Sequence, residues 1–330
     1  MNDGGAARRA LLWPFGCAYG ALMALRNAAF TGGLLRVRRL PVPVVSVGNL
    51  TLGGTGKTPA VLWLAALARA HGRRPGVLAR GYGRARGALL NDEGVLLQRR
   101  LPWLLQQQHP DRFTGGQRLL QQGADFVLLD DGFQHRRLHR DVDLLCVDAA
   151  QPFGRGGVLP AGELREFASG LRRASLLLLT RADALAATAL ALRIAQLRLK
   201  AGNSALPVFP CRHAPADLLR EPDGTSLPLA ELRGRRVVLL AAVARPAAFL
   251  QTVRALGADV RAEHRYRDHH RFTAAELARA AAAAVAQDAW LLCTEKDAAR
   301  LVGDDVVRYV LRIDLAFLEA VPPPAMVGIC

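Results

Sequence analysis

The sequence predicts an α/β protein of two domains, each with a mostly parallel sheet covered by helices on both faces. Three observations carry this. From residue 41 onward, short apolar runs alternate with helical patterns, which implies right-handed crossovers between parallel strands. The 330 residues are about twice an average domain. The charge balance also changes along the chain: residues 1–205 carry 28 basic and 13 acidic side chains, residues 206–330 carry 16 and 15.

Residues 10–25 (ALLWPFGCAYGALMAL) are uncharged and lie between Arg8–Arg9 and Arg26, with Arg36, Arg38 and Arg39 beyond. The run is short for a membrane span and is interrupted by Pro14, Gly16 and Gly20. No small-x-small cleavage site follows it. A helix of this kind suits the interface of an anionic membrane, or packing on the protein's own core. Strands are expected at 42–47, 75–79, 125–129, 142–147, 174–180, 207–210, 236–242, 259–264 and 290–294. Helices are expected at 59–71, 112–122, 184–200, 247–256 and 273–287. The stretch 211–232, with Pro215, Pro222, Gly224 and Pro228, reads as a linker. The resulting division is a helical segment at 1–40, a basic α/β domain at 41–210, the linker, and a smaller α/β domain at 233–330.

With 51% hydrophobic and 22% charged residues the chain can bury a large core, which excludes a disordered protein. Its five cysteines (17, 146, 211, 293 and 330) are scattered without a Cys-x-x-Cys pair. That argues against a disulfide framework or structural zinc and suits a reducing cytoplasm. Between Asp3 and Asp92 stand 13 basic residues and no acid, a field that draws polyanions such as nucleotide phosphates or an anionic membrane. Aromatics are only 6% and are not interleaved with the basic residues, which weighs against nucleic acid. Lysine is informative because 41 of the 44 basic residues are Arg; the lysines are Lys57, Lys200 and Lys296, and two of them fall in motifs.

The sharpest motif is VVSVGNLTLGGTGKTPAVLWLAALARAHG at 44–72. An apolar strand leads into a glycine-rich turn, then Lys57–Thr58, then Pro59 at a helix start. Gly53, Gly54 and Gly56 let backbone amides cradle phosphate oxygens at the positive end of a helix. Lys57 would reach the β/γ-phosphates and Thr58 would bind Mg²⁺. The strict pattern has Gly where Thr51 stands. In FVLLDDGFQHRRLHRD (126–141), an apolar strand ends in Asp130–Asp131, a carboxylate pair suited to holding Mg²⁺ across from a phosphate loop. Asp92–Glu93 are the first acids after the basic stretch; a carboxylate there would stay ionised and accept a hydroxyl proton, or be a solvated loop acid. HRYRDHHRFT (264–273) reads as metal ligands, as an Asp/His acid–base pair, or as a solvated turn capping the next helix. CTEKDAARL (293–301) sits at a strand end where open α/β sheets bind ligands. TRAD (180–183) weakly resembles the base-reading element of GTPases, which keeps a nucleotide-hydrolysing switch as an alternative.

In this order the motifs resemble the tetraacyldisaccharide 4′-kinases of lipid A biosynthesis. The resemblance runs from the arginine-flanked N-terminus through LPVPVVSVGNLTLGGTGKTP, ARGYG (79–83), the acids 92–93, PDR (110–112), LLDDGFQHRRLHRD (128–141), VLPAGELRE (158–166) and TRAD. It continues with ARP (244–246), DHHRFT (268–273) and TEKDAARL (294–301). The family's glycine loop also lacks the strict first glycine. The resemblance implies two α/β/α sandwich domains, the first P-loop NTPase-like, joined by a β-ribbon with the active site in the cleft. It implies ATP- and Mg²⁺-dependent phosphorylation of the 4′-hydroxyl of an acylated glucosamine disaccharide 1-phosphate. The enzyme would be a monomer, peripheral at the cytoplasmic face of the inner membrane, with no nucleic-acid partner. ATP would lie on Thr51, Leu52, Gly53, Gly54, Thr55, Gly56, Lys57 and Thr58, and Mg²⁺ on Thr58, Asp130 and Asp131. Arg112, Arg165, Gln134 and His135 would contact substrate or phosphate. The family's proton-accepting aspartate and histidine match Asp92 and His269. One departure is Gly94, where the family usually has proline after the acidic pair. His264, His270, Glu295 and Lys296 receive no role.

Overall fold

The computed structural model describes residues 3–84, 87–301 and 306–329, with side chains from residue 9 onward. Cys330 and the Arg8 side chain lie outside what is described. The helices are α1 (Asp3–Thr31), α2 (Lys57–Ala70), α3 (Asp92–Arg100), α4 (Arg112–Gln121), α5 (Ala187–Ala201), α6 (Pro246–Ala255), α7 (Ala274–Ala286) and α8 (Glu295–Ala298). The strands are β1 (Val44–Gly48), β2 (Pro75–Ala79), β3 (Leu105–Gln108), β4 (Phe126–Asp130), β5 (Val142–Asp148) and β6 (Leu176–Thr180). They continue with β7 (Val208–Glu221), β8 (Thr225–Leu227), β9 (Arg236–Ala241), β10 (Asp259–Arg265), β11 (Trp290–Thr294) and β12 (Arg308–Phe317).

These elements form two compact units, neither a single stretch of chain. The first comprises 1–82, 101–213 and 315–330; the second comprises 83–100 and 214–314. In the first, the sheet order is β3-β2-β4-β1-β5-β6-β7, with every pair parallel. β1, β4, β5 and β6 are buried along their whole length, which is why they read as mostly apolar runs rather than as alternating ones. One face packs Leu40, Leu78, Leu119 and Val127 beneath α4; the other packs Leu145, Leu177, Leu179 and Leu197 beneath α5.

In the second unit β10-β9-β11-β12 are parallel neighbours, and the end of β7 lies beside β12 with β8 antiparallel to it. Alternation sorts β9 cleanly. Val237 and Leu239 join the core under α6, while Val238 and Leu240 join the core under α7. α7 opens on a capping box, Thr273 with Glu276.

Most expected elements appear within one to three residues of their expected ends. Three differ more. Asp92 and Glu93, weighed above as loop acids, open the unexpected helix α3, with Asn91 Oδ1 accepting the Gly94 N–H at 3.0 Å. Gly94 therefore supplies a capping donor that a proline could not. β3 is the polar run LQQQ at a sheet edge, without an apolar signature. Within 211–232, read as a linker, β7 continues to Glu221, and β8 follows. Proline removes an amide donor but keeps an extended φ, so Pro210 and Pro215 do not end the strand.

α1 runs well beyond residues 10–25. Gly16 and Gly20 are its packing face: a Cβ on Gly16 would lie 2.8 Å from the Val158 carbonyl, and one on Gly20 would lie 2.5 Å from the Phe167 ring. Phe30 is buried, whereas Leu11, Trp13, Phe15, Leu22 and Leu25 are exposed. Among the described residues no helix is long and apolar enough to cross a membrane.

Candidate active site

β1 delivers the chain into the glycine loop, and α2 begins at Lys57 after Gly56, whose φ is 92°. The loop is held from several sides. Asn49 Nδ2 donates to Thr55 Oγ1 (3.0 Å), and Thr180 Oγ1 donates to the Thr55 carbonyl (2.9 Å). Arg181 donates to the Gly54 carbonyl (2.6 Å) while pairing with Asp148 (2.5 Å). Leu52 N–H bonds the Glu163 carbonyl, and Thr51 bridges to Leu164. Thr51, Thr55 and Thr58 are buried, and Leu52 is exposed. A Cβ built on Gly53 or Gly54 meets nothing within 4 Å. The loop is clamped behind and open in front, the form of a phosphate cradle.

Asp130 ends β4 and is buried; Asp131 follows with φ 52°. Arg165 Nη1 reaches both Asp131 oxygens (2.8 and 2.7 Å), and Lys57 Nζ lies 3.5 Å from Oδ1. Burial works to raise the Asp131 carboxyl, but the Lys57 and Arg165 cations outweigh it and hold it below its ordinary value. Arg112, the first residue of α4, is 4% exposed. Its Nη1 donates to the carbonyls of His109 (3.0 Å) and Pro110 (3.2 Å), and Nε has no partner among the described residues. Burial and the nearby Arg80 pull this guanidinium down to about 10, against Asp131 and Asp130. His135 is held down to about 4, by burial first and then by Arg112, Arg140 and Arg26. Gln134 does not present its amide outward: Nε2 donates to the Asn49 carbonyl (2.9 Å) and to Glu166 (3.2 Å). Glu166 in turn takes a bidentate Arg173 and the Asn27 amide of α1.

Among the described residues no cluster of three metal-ligating side chains exists. Mg²⁺ does not need one, since it is commonly held by one or two carboxylates plus substrate phosphates and water. The hard oxygen donors of Thr58, Asp130 and Asp131 fit that ion.

The second unit gathers Asp92 and His269 on one side chain. Arg300 Nε donates to Asp92 Oδ2 (2.8 Å), and Nη2 meets His269 Nδ1 at 3.2 Å. Among the described residues Asp92 and His269 do not bond each other directly. His269 follows the end of β9 in space, its N–H on the Ala242 carbonyl, with φ 62°. His270 instead bonds Glu276 of the capping box (3.0 Å) and stacks on Tyr266. Glu295 is raised by burial, against its Arg100 partner, so it serves an internal ion pair.

A family model described as tetraacyldisaccharide-1-P 4′-kinase matches residues 8–323. The chain belongs to the tetraacyldisaccharide 4′-kinase family. With it the chain takes its place among phosphotransferases with an alcohol acceptor, in lipid A biosynthesis. A tetraacyldisaccharide 4′-kinase of Anaeromyxobacter dehalogenans (strain 2CP-C) is 45% identical over 91% of this chain and 84% of that protein. One from Geobacter sulfurreducens is 38% identical over 86% and 81%. Among solved structures, LpxK from Aquifex aeolicus in complex with ATP aligns with TM-score 0.76 at 29% identity, covering 94% of this chain and 95% of that one. The switch-protein alternative is not favoured. Within TRAD, the motif that suggested it, Arg181 is a clamp on the glycine loop.

Sequence reasoning missed Arg300, Arg181, Asn49 and Glu166. Arg181 and Arg300 sit inside the motifs TRAD and TEKDAARL, yet nothing in an arginine-rich chain marks one arginine over another. Glu166 binds Asn27 and Gln134, far away in sequence, and Asn49 reaches Thr55 only once the glycine loop has folded back toward it.

Proposed function

We propose that this chain transfers the γ-phosphoryl group of ATP to the 4′-hydroxyl of a tetraacyldisaccharide 1-phosphate lipid. The observation that carries this reading is the open glycine cradle with Lys57 at its rim and the Asp130–Asp131 pair beside it. Phosphoryl transfer needs positioning and charge neutralisation more than covalent help. The amides of 51–58 would bind the triphosphate, and Lys57 would lie along its β/γ oxygens. Thr58, Asp130 and Asp131 would hold Mg²⁺, which when bound neutralises phosphate charge. Arg112, a buried guanidinium with a spare donor, is suited to an anionic oxygen. Arg165 and Lys57 hold Asp131 ionised. Asp92 would take the hydroxyl proton, an effect typically worth about 10²–10⁴-fold.

The exposed apolar side of α1, flanked by Arg9 and Arg26, supports peripheral attachment to an anionic membrane surface where an acylated substrate resides. The same reading takes the protein as a monomer at the cytoplasmic face of the inner membrane. The test is transfer of label from ATP to the lipid acceptor by pure protein. Transfer is expected in the wild type and nearly lost in folded Asp92→Ala and His269→Ala. ATP hydrolysis indifferent to the lipid would refute the reading.

A further inference from the structure

Three arginines gather where the exposed apolar side of α1 ends. Arg26 of α1 and Arg136, beyond β4, both stand on the buried Phe30 ring, their guanidinium carbons 5.0 and 5.6 Å from its centroid. Arg26 Nη1 and Nη2 donate to the Gln134 carbonyl (3.2 Å each), and Arg136 Nη1 donates to the Asn27 carbonyl (2.6 Å) and Thr31 Oγ1 (3.1 Å). The Arg137 side chain is exposed and makes no hydrogen bond among the described residues. Every acceptor named is neutral, and among the described residues none of the three arginines pairs with a carboxylate. Their neighbours differ: Arg38, Arg140, Arg165 and Arg173 each have an aspartate or glutamate partner. The carboxylates whose charge reaches Arg26 and Arg136 are already committed, Glu166 to a bidentate Arg173 and Asp143 to Arg140.

Burial lowers the Arg26 and Arg136 guanidiniums, and cations lower them further, Arg137 and Arg173 for Arg26, Arg173 and Arg140 for Arg136. Arginine does not escape such repulsion by losing its proton, so an anion bound here would relieve it. The same helix supplies an apolar half. Leu22 lies one turn before Arg26 on one ridge of α1, and Leu22 and Leu25 are 63% and 70% exposed. A ligand matched to both halves is an acylated phosphomonoester, with hydrocarbon on α1 and phosphate oxygens on guanidinium forks. The acceptor of the kinase reading is such a molecule. Its 4′-hydroxyl and 1-phosphate stand at opposite ends of the disaccharide, so with the hydroxyl at the glycine loop the phosphate lies some way off. Gln134 links two such places: its carbonyl takes Arg26, while its side-chain amide donates to the Asn49 carbonyl at the head of the loop. We propose that Arg26, Arg136 and Arg137 form the subsite for the acceptor's 1-phosphate and so select a lipid that already carries one. The inference rests on the kinase reading above and deepens it.

The test is phosphorylation by the full chain in neutral detergent micelles, with two acceptors: the tetraacyldisaccharide 1-phosphate and the same lipid with a free 1-hydroxyl. The wild type should prefer the first. Arg26→Ala should raise the KM for the 1-phosphate acceptor roughly tenfold, leave kcat and the KM for ATP little changed, and leave the free-hydroxyl acceptor unaffected. Arg137→Ala should do the same to a smaller degree. It removes an exposed side chain without bonds in the protein, so it folds whether or not Arg26→Ala does. Equal losses with both acceptors would make these arginines structural and overturn the proposal. A loss seen only on vesicles containing phosphatidylglycerol, and absent in the neutral micelles, would assign the arginines to bilayer headgroups and overturn it as well. Wild-type protein that phosphorylates neither acceptor would defeat the kinase reading instead, so the two failures are distinguishable.

Discussion

Three glycines in one loop make a graded experiment, because each tests a different physical cost. Alanine at Gly53, where φ is 94°, would meet open space but carry a backbone conformation that costs an L-residue about 1–2 kcal/mol. Alanine at Gly56 would pay the same at φ 92° and also place its Cβ 2.3 Å from His213 Nε2 and 3.1 Å from Thr180 Cγ2. Overpacking of that kind adds about 1–3 kcal/mol, so Gly56→Ala should be the least stable of the three. Gly54 has no positive φ and nothing within 4 Å, so Gly54→Ala should melt like the wild type. The open space beside Gly54 is nevertheless where a phosphate would lie against the loop amides. A methyl there should weaken ATP binding by about tenfold or more, equivalent to about 1.4 kcal/mol. Thermal melting and titration calorimetry with ATP separate the two effects. If Gly54→Ala bound ATP as tightly as the wild type, the loop's open side would not be the phosphate seat.

Other perturbations probe what surrounds the loop. His135 is neutral in the fold because its value is depressed to about 4, whereas the unfolded imidazole protonates near 6.5. The unfolded chain therefore binds more protons below pH 6.5, and stability should fall as pH drops from about 6.5 toward 4. Between pH 7 and pH 5 that loss is about 1–2 kcal/mol after discounting for partial exposure, and His135→Gln should lack it in paired melting curves. Glu166→Gln would leave the half-buried Arg173 without its bidentate charged partner and should cost about 1–3 kcal/mol in thermal unfolding. A cost near zero would show that Gln134 and Asn27 do not depend on that carboxylate.

The parallel sheets were legible because buried β-strands announce themselves as apolar runs, and β1, β4, β5 and β6 have no polar face to confuse the pattern. The glycine loop was legible for a local reason: its function needs small residues at consecutive positions. β3 was not, since an edge strand of LQQQ shows no such run. α3 was hidden because its cap, Asn91, and its donor, Gly94, resemble turn residues. The linker reading of 211–232 weighed proline as a terminator, whereas β7 carries Pro210 and Pro215 in extended backbone. Of the site, single residues were read as candidates, but their partners were not. Lys57 and Asp131 stand 74 positions apart in sequence, and Arg300 stands 208 from Asp92. Only the fold puts them together.

Backbone strain marks the same residues independently of chemistry. Among the described residues four non-glycines have positive φ: Asp131, Arg181, His269 and Asp288. Asp288 sits in an exposed turn after α7, where such a conformation is a common helix ending. The other three directly follow, or bond to, the carboxyl ends of parallel strands. Asp131 follows β4 and faces Lys57; Arg181 follows β6 and grips Gly54; His269 bonds Ala242 after β9 and meets Arg300. Each left-handed residue turns its side chain sharply out of the preceding segment, toward the glycine loop in the first unit and toward Arg300 in the second. A conformation that costs about 1–3 kcal/mol persists only where surrounding contacts over-determine it, and here those contacts are the ion pairs and carbonyl bonds of the candidate site. Replacing Asp131 by glycine would relieve the strain and remove the carboxylate together, whereas Asp131→Asn keeps the strain and removes only the charge. If the carboxylate is what matters, both variants should lose kinase activity alike although their melting temperatures differ.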